Sequence, residues 1–295
     1  MLSDWLRKQL AESGFDIEMS LPALLGGLLF IAILAGGIAA DILLLMRRRS
    51  DSDSWAQAVR RLRERPWTLQ DVAFVTLALA TWITSAWWLQ QNAEPGRANS
   101  VLIGIGSFLT VFLTVAVYSA CAIRSKKTTW RHAFGMNRES FGRQCRAGGF
   151  LYLAFMPPFV LIGWLYAMAL KGFNLQTDRQ KILRVFIDPN LPLGSRIAIV
   201  VMAVIMAPIW EETLFRGIAS SALAKQARLW LVVGVVSLFF AAIHGHLPAL
   251  LPLFTLAVAL SLAYIHTGSL VVPIVMHAIF NSVTLTFALL FKDVI

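Results

Sequence analysis

Apolar residues run along most of this chain in long unbroken stretches, with neither the alternation of a half-buried strand nor the narrow stripe of a surface helix. A bilayer's hydrocarbon core takes about 20 apolar residues per helical crossing. On that measure the pattern predicts helices over Pro22 to Met46, Leu69 to Gln90, Val101 to Ile123, Gly148 to Leu170 and Ile197 to roughly Lys225. Three more follow, from Trp230 to about His244, from about Ala249 to Ile265 and from Leu270 to Phe291, with Pro248 and Pro252 breaking the middle region. The expectation is an all-α polytopic membrane bundle of about eight transmembrane helices. The longest polar connection is about 25 residues, too short for a core of its own, so any chemistry must lie inside the bundle.

Three parts follow from this pattern. Residues 1–20 form an N-terminal extension in which Trp5, Leu6 and Leu10 suit an interfacial amphipathic helix as well as a plain solvated segment. Residues 21–196 hold four transmembrane helices joined by basic loops, and residues 197–295 hold a four-helix core expected to be catalytic. The first apolar run, about 25 residues long, exceeds the about 7–15 of a signal-peptide core, so it is expected to remain as an anchor.

Composition agrees: 58% of the 295 residues are hydrophobic and 14% charged, where soluble domains have about 45–50% and about 25%. A formal charge of +10 raises the question of nucleic acid. The bases flank the apolar runs, however, and carry no aromatic RNA-binding signature, so no nucleic-acid partner is expected. The connections after the first and third runs each contain seven Lys or Arg, whereas Gln91 to Ser100 contains only Arg97. By the positive-inside bias those two loops face the cytoplasm. Alternation then places Lys171 to Arg196, with its five bases, and both termini outside. Cys121 and Cys145 have no CxxC spacing, so neither a disulfide framework nor a thiolate metal site is expected. The expected location is a multi-pass position in a prokaryotic cytoplasmic membrane, with the lipid bilayer as a partner; oligomeric state is not readable.

Charge inside the last 95 residues is scarce. Only Glu211, Glu212, Arg216, Lys225 and Arg228 carry it between Ile197 and Phe291, and the first three sit in IMAPIWEETLFRG. An acid at the bilayer centre costs about 2.5–3.5 kcal/mol on the lenient insertion scale, so two adjacent carboxylates need partners or a function. Glu212 and Arg216, four apart, share a helix face and can pair, while Glu211 points about 100° away. The same spacing links Phe240 with His244 and His277 with Asn281. Phe240 would pack under the His244 ring, and His277 with Asn281 would aim two donors at one point, as an oxyanion hole does. Counting along the helices places Glu211 and His277 nearer the cytoplasmic half and His244 nearer the opposite end. His246 and His266, beside the turn signals HGHLP and HTGS, are expected at interfaces. Pro208, Pro248, Pro252 and Pro273 could help open a cavity, and Gly36, Gly37, Gly104 and Gly106 could serve close helix packing.

The ordered motifs Glu-Glu-x-x-x-Arg (Glu211, Glu212, Arg216), Phe-x-x-x-His (Phe240, His244) and His-x-x-x-Asn (His277, Asn281), with the closing segment YIHTGSLVVPIVMHAIFN, resemble the CAAX protease and bacteriocin-processing (Abi) family. That family includes the type II CAAX prenyl endopeptidases, or Ras-converting enzymes. The resemblance covers about Ile197 to Phe291. It implies an intramembrane endopeptidase that hydrolyses a peptide bond of a membrane-delivered peptide or protein, without cofactor or metal. It further implies that Glu211 is the general base, that His244 holds the water, and that His277 and Asn281 stabilise the oxyanion. Glu212, Arg216 and Phe240 would be supporting. A desolvated carboxylate is a stronger base, which suits that chemistry. Nothing in residues 1–196 ties the chain to prenyl-cysteine recognition. Two other readings stand beside this one. The same Glu/His set could bind Zn²⁺, although HExxH is missing, or it could form a polar network in a nonenzymatic transporter or scaffold, although no inverted repeat is visible.

Overall fold

A computed structural model describes residues 21–47, 52–92, 97–175 and 181–292; the 1–20 extension lies outside these. Eleven helices organise the described residues. They are α1 (Leu21–Arg47), α2 (Ser52–Arg63), α3 (Leu69–Asn92), α4 (Arg97–Ser125), α5 (Trp130–Phe134) and α6 (Phe141–Gly172). After these come α7 (Lys181–Ile187), the composite α8 (Leu193–Leu223), α9 (Leu229–Ala242), α10 (Leu247–Thr267) and α11 (Val271–Leu290). The polytopic all-α bundle read from the sequence is what the chain forms. Seven helices are long and apolar enough to cross a membrane; α9, with 14 residues, is the short eighth. At 1.5 Å per residue α9 is about 21 Å long, less than the about 30 Å of a bilayer core. The chain therefore turns within the bundle after α9, through Gly245 at φ 59°.

Lipid and neighbouring helices divide the surface of each helix between them. Leu28, Leu77, Trp87, Trp88, Leu113 and Trp164 are more than half exposed, as side chains facing lipid are. α10 is buried along much of its length, where Leu256, Ala257 and Leu260 are fully enclosed, and it packs against α6, α9 and α11. Small residues allow the closest approaches. A Cβ on Gly37 would stand 2.5 Å from the Leu153 carbonyl, and one on Gly148 would stand 2.8 Å from the Val275 Cβ, so α1 and α11 both lie tight on α6. Gly36 meets only the Leu153 side chain at ordinary contact distance, and Gly104 and Gly106 face open space, so the packing expected of the last two is not found.

The two basic connections meet at one end of the bundle. Arg65 donates to the carbonyls of Arg131 (3.2 Å), His132 (2.6 Å) and Gly268 (2.5 Å), while Arg63 donates to Ala224 O at 2.8 Å. Lys225 Nζ donates to the carbonyls of Arg65 and Trp67, each at 2.7 Å. Burial and the nearby Lys126 ammonium pull the Lys225 pKa below its ordinary value, against the pull of Asp71. Asp71, buried at the start of α3, pairs with Lys126 and accepts from Tyr118 Oη at 2.7 Å. Loop carbonyls that would otherwise be orphaned at helix ends are thus satisfied by cationic side chains. The ends of α8 and α10 are bound into the same face as the basic loops.

Candidate active site

Helix α8 carries the two acids in an irregular stretch. Ala207–Glu212 is α-helical, but wider π-helical turns flank it at Met202–Met206 and Thr213–Ser220. Such turns are uncommon and gather at functional sites. One cause is legible in the chain: the Ala207 N–H bonds to Met202 O, and Pro208, five residues after Ala203, has no N–H to offer. The Ala203 carbonyl instead accepts from Asn281 Nδ2 at 2.7 Å. One amide hydrogen of Asn281 is therefore fixed on α8, and the other remains for a further acceptor.

Glu212 and Arg216 are wholly buried and paired at 2.9 Å, as their spacing predicts. Arg216 also donates to Ala257 O at 2.9 Å and to Ser261 Oγ at 3.4 Å, and its guanidinium lies 4.8 Å from the Phe240 ring centroid. What the spacing does not reveal is that the same Glu212 oxygen, Oε1, also meets His277 Nδ1 at 2.9 Å. A carboxylate can only accept, so Nδ1 carries a proton and the other ring nitrogen, Nε2, stands 3.9 Å from Glu211 Oε2. Glu211 is 8% exposed, and its Oε2 has no hydrogen-bond partner among the described residues.

His244 lies just past the last turn of α9, exposed, with Nδ1 2.7 Å from Phe240 O. A carbonyl cannot donate, so here too Nδ1 holds the proton, and Nε2 of the neutral ring is an acceptor. Phe240 is fully buried beneath the His244 ring (5.0 Å between centroids) and beside that of His277 (5.9 Å). The difference in depth along the sequence closes through side-chain direction. Side chains lean toward the N-terminus of their own helix. On α8, which runs toward the basic end, Glu211 leans away from that end. On α9, which runs the other way, His244 leans back toward it.

Glu211, His244, His277 and Asn281 all line one cavity of about 490 Å³ between α8, α10 and α11. The remaining wall is mostly apolar, including Phe108, Ile199, Met202, Leu253 and Phe280. Pro248 and Pro252 line it as well; Pro208 and Pro273 do not. His246, assigned to an interface on its turn context, in fact lines this cavity, and both its ring nitrogens are buried without hydrogen-bond partners. Its HGH spacing from His244 is the only sequence signal that pointed there. His266 does lie at the basic end, where its ring meets Trp55 at 5.1 Å and its carbonyl accepts from Arg61. A larger cleft of about 600 Å³ between α3 and α4 has, among the described residues, no carboxylate or imidazole in its wall. Among the described residues, no group of three or more His, Cys, Asp or Glu is placed to hold a metal ion.

Fold and site together define a multi-pass membrane protein with a polar cavity inside its C-terminal helices. Residues 193–283 match the family described as type II CAAX prenyl endopeptidase Rce1-like, the family that the three motifs resemble. A 99-residue stretch is 33% identical to an uncharacterized 24.3 kDa protein of Escherichia coli, covering 32% of this chain and 45% of that relative. The chain therefore spans less than half the length of this curated relative. No solved structure matches the chain.

Proposed function

We propose that the protein is an intramembrane endopeptidase that hydrolyses a peptide bond of a membrane-delivered peptide or protein, with Glu211 as the base that activates water. The observation that carries this reading is the free, buried Oε2 of Glu211 in a cavity it shares with His244, His277 and Asn281. In this reading each group has a task. His244 Nε2 accepts one hydrogen of the water, and Glu211 removes the other as the oxygen attacks the peptide carbonyl. A C–O bond forms, the carbonyl becomes an oxyanion, and Glu211 then passes its proton to the leaving amine as the C–N bond breaks.

His277 is the first oxyanion donor in this scheme. Nδ1 is held by Glu212, so Nε2 is the ring nitrogen that faces Glu211 and the cavity, and as an N–H it donates to the oxyanion. The free amide hydrogen of Asn281 is the second oxyanion donor. The mostly apolar wall suits an extended peptide with apolar residues beside the scissile bond.

The test is cleavage of detergent-solubilised membrane peptides by the purified protein and by Glu211→Gln, with products identified by mass. Glu211→Gln and His244→Ala are expected to abolish turnover while keeping the parent's folded yield. Equal cleavage by Glu211→Gln would remove Glu211 as the base.

A further inference from the structure

The cavity lining stops short of the basic end of the bundle and extends toward the other. Its nearest approach to the basic loops is His277, and beneath that the space is filled by Phe215, Arg216, Ile218, Phe240, Tyr264 and Leu270, each 1% exposed or less. From there the lining climbs away from the basic end. Thr284 lies about 20 Å along α11 from its start, and Ile199 about 36 Å along α8 from its end, at 1.5 Å per residue. Ile182 and Leu183, in the connection between α6 and α8, and His246, in the turn before α10, complete the lining on that far side. Tyr166, near the far end of α6, donates to Leu247 O at 2.9 Å, which fixes the turn at that level. Among the described residues, none of either basic loop touches the cavity.

We infer that water and substrate reach this site from the membrane face opposite the basic loops, which the positive-inside bias makes the extracytoplasmic face. The substrate class narrows accordingly, granted the protease reading above. It is an exported peptide, or the outward-emerging end of a membrane-anchored one, rather than a carboxyl-terminal tail that stays in the cytoplasm. The two unpartnered nitrogens of His246 sit on this route, where an arriving peptide's amide groups need partners once they leave water.

Thiol accessibility tests the direction without any substrate. In a Cys121→Ser/Cys145→Ser background, single cysteines are placed by Thr284→Cys and His246→Cys on the cavity and by Glu139→Cys on the exposed basic face. Each is exposed to a membrane-impermeant charged maleimide in sealed vesicles of both orientations. The cavity cysteines should react from the outer face at least about tenfold faster than from the inner, the contrast a bilayer imposes on a charged reagent, and Glu139→Cys should show the reverse. Reaction of the cavity cysteines from the same side as Glu139→Cys overturns the inference, and so does failure to react from either side. Adding Glu211→Gln to each variant should leave the labelling unchanged. Loss of the protease reading and loss of the access direction are therefore separate results.

Discussion

Arg216→Ala would leave the Glu212 carboxylate, itself without exposure, facing only His277 for compensation. Removing one partner of a buried pair costs about 3–5 kcal/mol, so the variant should lose most of its folded yield and unfold at a lower temperature in detergent, whatever the activity of the fraction that survives. Normal thermal stability with no turnover would instead give Arg216 a direct part in the reaction. The pair itself was legible, because spacing by four on a helix allows little else for two opposite charges in an apolar run. The link from Glu212 to His277 was not legible. It joins residues 65 apart in the chain, and helical periodicity carries no information on which face of one helix meets which face of another. The same limit hid His246, whose turn context fits a surface loop as well as a chain reversal inside the bundle.

At the level of the element, α8 departs from the regular helix that its hydrophobic run predicts. Pro208 withholds the N–H that the Ala203 carbonyl would meet in a π-turn, and Asn281 on α11 donates a side-chain N–H to that carbonyl instead. Asn281 therefore has a holding task on α8 as well as its proposed task on the oxyanion, and the two can be separated. Asn281→Ala should lower kcat by about 100- to 1,000-fold, as loss of an oxyanion donor does, and should also destabilise by about 1–3 kcal/mol through the orphaned carbonyl. In the double variant Pro208→Ala/Asn281→Ala, the restored N–H should recover stability but not kcat. Thermal unfolding and kcat measured on the four proteins of the cycle give the coupling; recovery of both would assign Asn281 to structure alone. Proline positions were plain in the sequence, but their effects were not. Pro248 and Pro252 reach the cavity, whereas Pro208 acts through the carbonyl it leaves unpaired. The shortness of α9 was legible from its run of apolar residues, and the structure adds that its end turns inward to carry His244 to the cavity.

Across the described residues the division of labour runs along the bundle: one end is bound by cationic side chains on loop carbonyls, and the cavity extends toward the other. The basic blocks between apolar runs mark one end of the bundle in the sequence, since Lys and Arg concentrate where short loops stay in the cytoplasm; which end the cavity extends toward was not legible there. Their second use, as donors to Ala224, Arg131, His132 and Gly268, depends on loops distant in sequence coming together. Gly135 is the tightest point of that end. It has φ 72°, and a Cβ there would lie 1.7 Å from Gly268 O, a backbone atom that cannot swing aside. Gly135→Ala combines a left-handed backbone with an overlap, each costing about 1–3 kcal/mol, and should lower the unfolding temperature sharply. Gly142→Ala and Gly163→Ala, with nothing within 4 Å of the added carbon, should not. Because the buried layer around Arg216 and Phe240 separates that end from the cavity, the Gly135→Ala protein that does fold should keep the parent KM and kcat. A changed KM in the folded fraction would mean that the bound end and the cavity end are coupled through this layer.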